Sequence, residues 1–194
     1  MKKIGVVCDC HNTLINSNLA WIRAFTDFAG EEKEEEIKLY LYGKIKRREL
    51  ARKYNIEFSL IEKRADIYEK AKQDVLNLLE SFNSMGVPLF VVSNAPSARV
   101  LKDLEIVNIR SLFNKIYTGD DGGKKNLKIF DEILKDYHLD YILFIGNEEF
   151  DDNIPHPRVL SVVITSFLRE RFQVVAGYNF DQEGKIKIKE SVDE

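Results

Sequence analysis

Four short stretches of the sequence carry side chains able to do chemistry, and each follows a run that reads as a strand. Asp9, His11, Asn12 and Thr13 follow the first run, and Ser93 and Asn94 close the second. Lys124 and Lys125 follow the third, and Asn147, Glu148, Glu149, Asp151 and Asp152 follow the fourth. A carboxylate such as Asp9 can act as a nucleophile that splits one hard displacement into two. A lysine supplies positive charge, and hydroxyl and amide groups supply donors that can be aimed at negative oxygens. His11 can exchange a proton near neutrality. Each residue also has a plainer reading. Asp9 could be a strand-end residue bonded to backbone, Lys124 or Lys125 a solvated loop lysine, and Ser93 a helix N-cap. His11 could be a structural donor, and residues 148–152 a solvated acidic loop.

Ligands of an open parallel sheet bind beyond the carboxyl ends of its strands. The elements that must position these residues are therefore strands that end on them. Residues 4–9 form an apolar run closing on an acid, the pattern of a buried strand. Residues 87–93, 115–118, 141–145 and 159–164 read as further strands. Helical stripes lie between them: Val75, Leu78, Leu79 and Phe82; residues 97–104; and Phe130, Ile133, Leu134 and Tyr137. This alternation predicts an α/β fold, a Rossmann-like parallel sheet with helices on both faces.

The first two strands are far apart in the chain, and what separates them reads as helix. Trp21, Phe25 and Phe28 recur at helical spacing as a core stripe, and the acids of 31–36 suit the first turn of a second helix. Residues 47–54 and 60–71 read as two more, the last with Ile61, Ala65 and Tyr68 on one face. A parallel crossover needs far less chain. Residues 16–72 are therefore expected to form a small all-helical cap domain over the end of the first strand, with 1–15 and 73–194 making the α/β core. Residues 178–189 carry a hairpin pattern around 181–184.

Composition narrows the function. The 29 basic and 32 acidic residues leave a net charge of −3 with no basic block, so no electrostatic case exists for a nucleic-acid or membrane partner. No apolar run approaches a membrane span. The first residues read as strand rather than signal peptide, and Cys8 and Cys10 read as small core residues without a disulfide framework, so the expected compartment is the cytoplasm.

The order of these polar residues resembles that of the haloacid dehalogenase superfamily. Asp9-Cys10-His11-Asn12-Thr13-Leu14 resembles its first motif, Asp-x-Asp-Gly-Thr-Leu, and Ser93 matches the serine or threonine of the second. Lys124, six residues before Phe130, matches the lysine of the third, and Gly146-Asn147 followed by Asp151 resembles Gly-Asp-x-x-x-Asp. The resemblance implies hydrolysis of a small phosphorylated substrate through an aspartyl-phosphate on Asp9. Lys124 and Ser93 would stabilise the transferring group, His11 would work as acid–base, and Thr13 and Asn94 would help bind substrate. It also implies Mg2+ held by Asp9, the His11 carbonyl, Asn147 and Asp151. His11 and Asn147 stand where the family has aspartates, and an amide brings no charge to a hard cation. Two alternatives follow: a fold-preserving binding or scaffold protein, and a metal-independent dehalogenase.

Overall fold

A computed structural model describes residues 2–43, 45–148 and 152–163, and the backbone of 179–180 and 186–187. Five parallel strands form one sheet: β1 (Ile4–Cys8), β2 (Leu89–Val92), β3 (Lys115–Tyr117), β4 (Tyr141–Gly146) and β5 (Val159–Val163), in the order β3-β2-β1-β4-β5. The predicted α/β architecture is therefore observed. β1 lies at the centre, with Val6 opposite Leu89 on one side and Leu143 on the other.

A central strand is covered on both faces, so its residues are apolar without alternation. The pleat then sends them to two different cores. Val6 and Cys8 pack with Leu89 and Val91 beneath helices α5 (Gln73–Ser84) and α6 (Ser97–Ile106). Val7 packs with Phe90, Val92 and Phe144 against α7 (Lys128–Asp136), whose Ile129, Phe130, Ile133 and Leu134 form one buried stripe.

Between β1 and α5 lie four further α-helices among the described residues: α1 (Ser17–Ala29), α2 (Glu34–Tyr42), α3 (Arg47–Lys53) and α4 (Phe58–Tyr68). They bury a third cluster of their own, around Trp21, Phe25, Ile37, Leu50 and Ile61. The stripe expected from Phe28 is broken: this ring is 41% exposed at the last turn of α1, beneath the Arg64 guanidinium. α4 also stops short of residue 71, because the chain there turns extended. Asn16 N–H donates to the Lys70 carbonyl, Lys70 N–H donates to Asn16 Oδ1, and Ile15 bridges antiparallel to Ala71. The two crossings into and out of the helical unit are thus zipped to each other. At the far end, β6 (Asn179–Phe180) and β7 (Ile186–Lys187) pair antiparallel, as the hairpin pattern requires.

Candidate active site

Asp9 is the first residue after β1, at the carboxyl end of the central strand, and it is buried. The chain must turn sharply there, and Asn12 does so with φ 62°, a left-handed value that asparagine tolerates. It stands where the first motif has glycine. Its side-chain Oδ1 accepts from the Asn18 N–H and so anchors the start of α1.

Lys124 comes to Asp9 from the loop after β3. Its Nζ lies 3.1 Å from Asp9 Oδ1 and 2.5 Å from Asp152 Oδ1. Asn94 Oδ1 accepts the Lys124 backbone N–H at 2.9 Å, which ties the loop after β2 to the loop carrying the lysine. The approach is close enough to need glycine at 123, where φ is 57° and a side chain would collide with Asn94 Oδ1. Of the two candidate lysines, Lys124 is buried against Asp9. Lys125 is exposed, and with Lys124, Asn94, Leu127 and Asn153 it lines a cavity of about 220 Å³.

Asp152 organises the loop after β4. Its Oδ2 accepts both the Asn147 and Glu148 backbone N–H groups at 2.7 Å, while Oδ1 takes Lys124. One cation thus lies between two buried carboxylates. Burial works against the Lys124 charge, but Asp9 and Asp152 outweigh it and hold its pKa above the usual lysine value. Burial pushes Asp9 above the ordinary aspartate range; Lys124 offsets part of this and Asp152 adds to it.

The other Asp9 oxygen faces Thr13 and Asn147. Thr13 Oγ1 donates to Asn147 Oδ1 at 2.9 Å and lies 3.4 Å from Asp9 Oδ2. The inward-facing atom of the Asn147 amide stands 3.3 Å from Asp9 Oδ2 and 3.0 Å from the His11 carbonyl. With its oxygen inward, this atom stands from each of the other two oxygens near the ~3 Å octahedral edge of a cation bound at about 2.1 Å. The donor set Asp9 Oδ2, His11 O and Asn147 Oδ1 therefore fits a small hard cation. Asp151, the fourth expected ligand, lies outside the described residues.

His11 gives its carbonyl to this cluster, while its ring is held by Asp103. Its ring Nε2 is 2.8 Å from Asp103 Oδ2, on the buried side of α6. Arg99, one turn earlier, donates its Nε to the same Asp103 oxygen at 2.7 Å. It then reaches out of the α/β unit to Asp66 on α4, at 3.2 Å, and to Glu69 just beyond it. Burial raises Asp103, but its bond to His11 and the Arg99 charge prevail and hold it below the usual range. Glu69, buried beside Asp103, is raised to about 7. Arg99 also lies 5.9 Å from the Trp21 ring, which carries the Arg47 guanidinium at 4.4 Å.

The remaining expectations separate cleanly. Ser93 does not cap α6, whose N-cap is Pro96; its Oγ accepts the Ala95 N–H at 3.3 Å behind the carboxyl end of β2. Cys8 and Cys10 are buried free thiols pushed well up by burial and by the Asp9 charge, so they are inert core residues. The sequence marks Asp152 only as one of several acids after the fourth strand, and two further residues, Asp103 and Arg99, escape that reading. Asp103 could have been found as a carboxylate on the apolar stripe of α6, between Val100 and Leu104. Arg99 left no comparable signal.

A parallel sheet whose central strand ends in a buried acid, held by a lysine from a neighbouring loop, defines a Rossmann-like α/β protein with its site at the strand ends. The sequence profile of the haloacid dehalogenase-like hydrolases matches residues 6–166, and the chain belongs to that family. No curated protein sequence matches it. Among solved structures it resembles a hydrolase from Streptococcus pneumoniae TIGR4, at 21% identity over 87% of this chain and 96% of that one, with a TM-score of 0.69. It resembles a haloacid dehalogenase family hydrolase from Deinococcus radiodurans R1 with bound phosphate and sodium, at 18% identity over 74% and 72%, with a TM-score of 0.57. It also resembles the L-2-haloacid dehalogenase RSc1362, at 17% identity over 78% and 81%, with a TM-score of 0.59.

Proposed function

We propose that the protein is a phosphohydrolase of small molecules that works through an aspartyl-phosphate on Asp9. One observation carries the reading: the Asp9 carboxylate sits at the end of the central strand with the Lys124 ammonium 3.1 Å from one oxygen. A buried lysine keeps a nucleophilic carboxylate charged and offsets its repulsion of an incoming phosphoryl group. The phosphate bound by the related Deinococcus radiodurans protein is the chemistry expected of such a site.

In this reading an Asp9 oxygen attacks phosphorus and the leaving oxygen departs with a proton. Lys124 and the Ser93 hydroxyl balance the equatorial oxygens. His11 supplies the proton and later takes one from water. With Nε2 held by Asp103, the nitrogen left for this exchange is Nδ1. Asp9, the His11 carbonyl and Asn147, joined by Asp151, would hold Mg2+, which adds positive charge against the phosphate when bound. The helices α1–α4 act as the cap that selects substrate and excludes water, with Trp21 and its two guanidinium neighbours at its inner side.

The test is a phosphoester panel, with an aryl phosphate as the generic probe, assayed with and without Mg2+. Wild type is expected to turn over. Asp9→Asn is expected to lose at least about 10³-fold in kcat while keeping the native circular-dichroism spectrum and a cooperative unfolding transition. Absence of turnover across the panel overturns the reading. The replacement of both helper acids favours one second reading, a protein that binds a phospho-ligand without hydrolysing it. Thermal stabilisation by phosphate without turnover is its signature. Chelator-insensitive halide release from a 2-haloacid would instead mark a dehalogenase.

A further inference from the structure

The Asn147 amide faces three acceptors, and this is an awkward place for its oxygen. Turned so that nitrogen faces inward, the two N–H groups have three acceptors in reach: Thr13 Oγ1 at 2.9 Å, the His11 carbonyl at 3.0 Å and Asp9 Oδ2 at 3.3 Å. Two of these acceptors are the oxygens that, with the amide oxygen inward, would ligate a cation. The turn costs no rearrangement elsewhere, because the Thr13 hydroxyl rotates. It donates to the amide oxygen in one state, and accepts from the amide nitrogen while facing Asp9 Oδ2 in the other.

We propose that Asn147 is a built-in substitute for the cation: in the metal-free protein its NH2 group bridges Asp9 Oδ2 and the His11 carbonyl, and a divalent cation binds only by turning the amide over. The charge count agrees. Among the described residues, Asp9 and Asp152 against Lys124 leave one net negative charge in the buried cluster, where an aspartate at 147 would leave two. An isolated pair of facing carboxylates needs a cation or a proton to stay buried; a carboxylate facing an amide N–H needs neither. The site is thus complete without metal, and it binds metal weakly.

The inference rests on the proposed reading of Asp9 as the centre of the site, but its test reads binding and stability rather than turnover. Calorimetry with MgCl2 on the chelator-treated protein is expected to give weak binding, and Asn147→Asp is expected to tighten it at least about tenfold, as added ligand charge does in oxygen sites. The thermal midpoint of wild type is expected to be the same in chelator and in Mg2+ at one millimolar scale, while that of Asn147→Asp rises with Mg2+. Because Asn147→Asp can fail to fold without metal, a second measurement uses wild type alone. The Asn147 side-chain 15N–H2 resonance, assigned by its loss in Asn147→Ala, is expected to exchange slowly with solvent without metal and to lose that protection on Mg2+ saturation. Tight Mg2+ binding by wild type, or a wild-type midpoint that falls in chelator, overturns the proposal, as does a fast-exchanging amide in the metal-free protein. If these binding results hold and no phosphoester is cleaved, the hydrolase reading fails and the amide bridge stands.

Discussion

Lys124 is the residue on which the most depends. Its ammonium is the shared partner of Asp9 and Asp152, both buried, so its removal strands two carboxylates in a low dielectric. Breaking a buried pair by deleting one member costs about 3–5 kcal/mol, and Lys124→Met is expected to lose that much in urea unfolding at neutral pH. Adding Asp152→Asn to that variant is expected to restore part of the loss, because one stranded charge disappears while the amide still accepts from the Asn147 and Glu148 N–H groups. A double variant no more stable than the single would show that Lys124 and Asp152 do not interact as the geometry requires. Sequence carried only half of this. Lys124 was legible because its distance from Phe130 matched a motif. Asp152 was not singled out, since nothing in the sequence separates it from the other acids after β4. Its place is fixed by the Asn147 and Glu148 N–H groups, which need an acceptor.

Elements explain how such side chains meet. β4 ends on Gly146, and the Asp152 carboxyl folds back over it so closely that a methyl group at 146 would run into the carboxyl itself. Gly146→Ala is therefore expected to push Asp152 off Lys124, costing about 1–3 kcal/mol as an overpacked site and lowering kcat. A substitution that shifted neither the unfolding midpoint nor turnover would place Asp152 elsewhere. The inner strands β1, β2 and β4 were readable from sequence as nearly continuous apolar runs, and the α/β class followed from their alternation with helical stripes. Two helical details were not. Phe28 fits the spacing of α1, but the unit has no second layer to cover its last turn. Residues 69–71 fit the stripe of α4, but backbone pairing with residues 15–16 draws them into an extended conformation. Long-range pairing overrides local periodicity in both directions.

Across the whole molecule, the junction between the helical unit and the sheet is electrostatic. Arg99, His11 and Asp103 on the sheet side meet Asp66 and Glu69 of the helical unit, and two buried oxygens there, Glu69 Oε2 and Asp103 Oδ1, have no partner of their own. One proton on Glu69 would satisfy both, in keeping with its pKa, which burial and the Asp103 charge raise from 4.5 to about 7. The sign follows from linkage. Between these values the folded chain keeps a proton that the unfolded chain has released, so stability falls as pH rises from about 4.5 to about 7 and levels off above. Glu69→Gln, whose amide can accept from Arg99 and donate to Asp103, is expected to flatten that slope and to be the more stable protein at pH 8. Urea midpoints at pH 5, 6, 7 and 8 check this, and parallel slopes for the two proteins would remove Glu69 as the cause.

The paired crossings at residues 15–16 and 70–71 also bear on how such a chain can change over time. A segment that leaves the sheet and returns to it at one stitched point imposes almost no geometry on its host. Its ends are already neighbours, the condition under which whole insertions are tolerated. With carboxylate partners kept for Arg99, the segment between Asn16 and Lys70 can be lengthened, shortened or exchanged as a block while Asp9 and Lys124 stay in register. A graft of another helical unit at these two positions, or a short turn closing them, should leave the five-stranded sheet folded and alter only what reaches it.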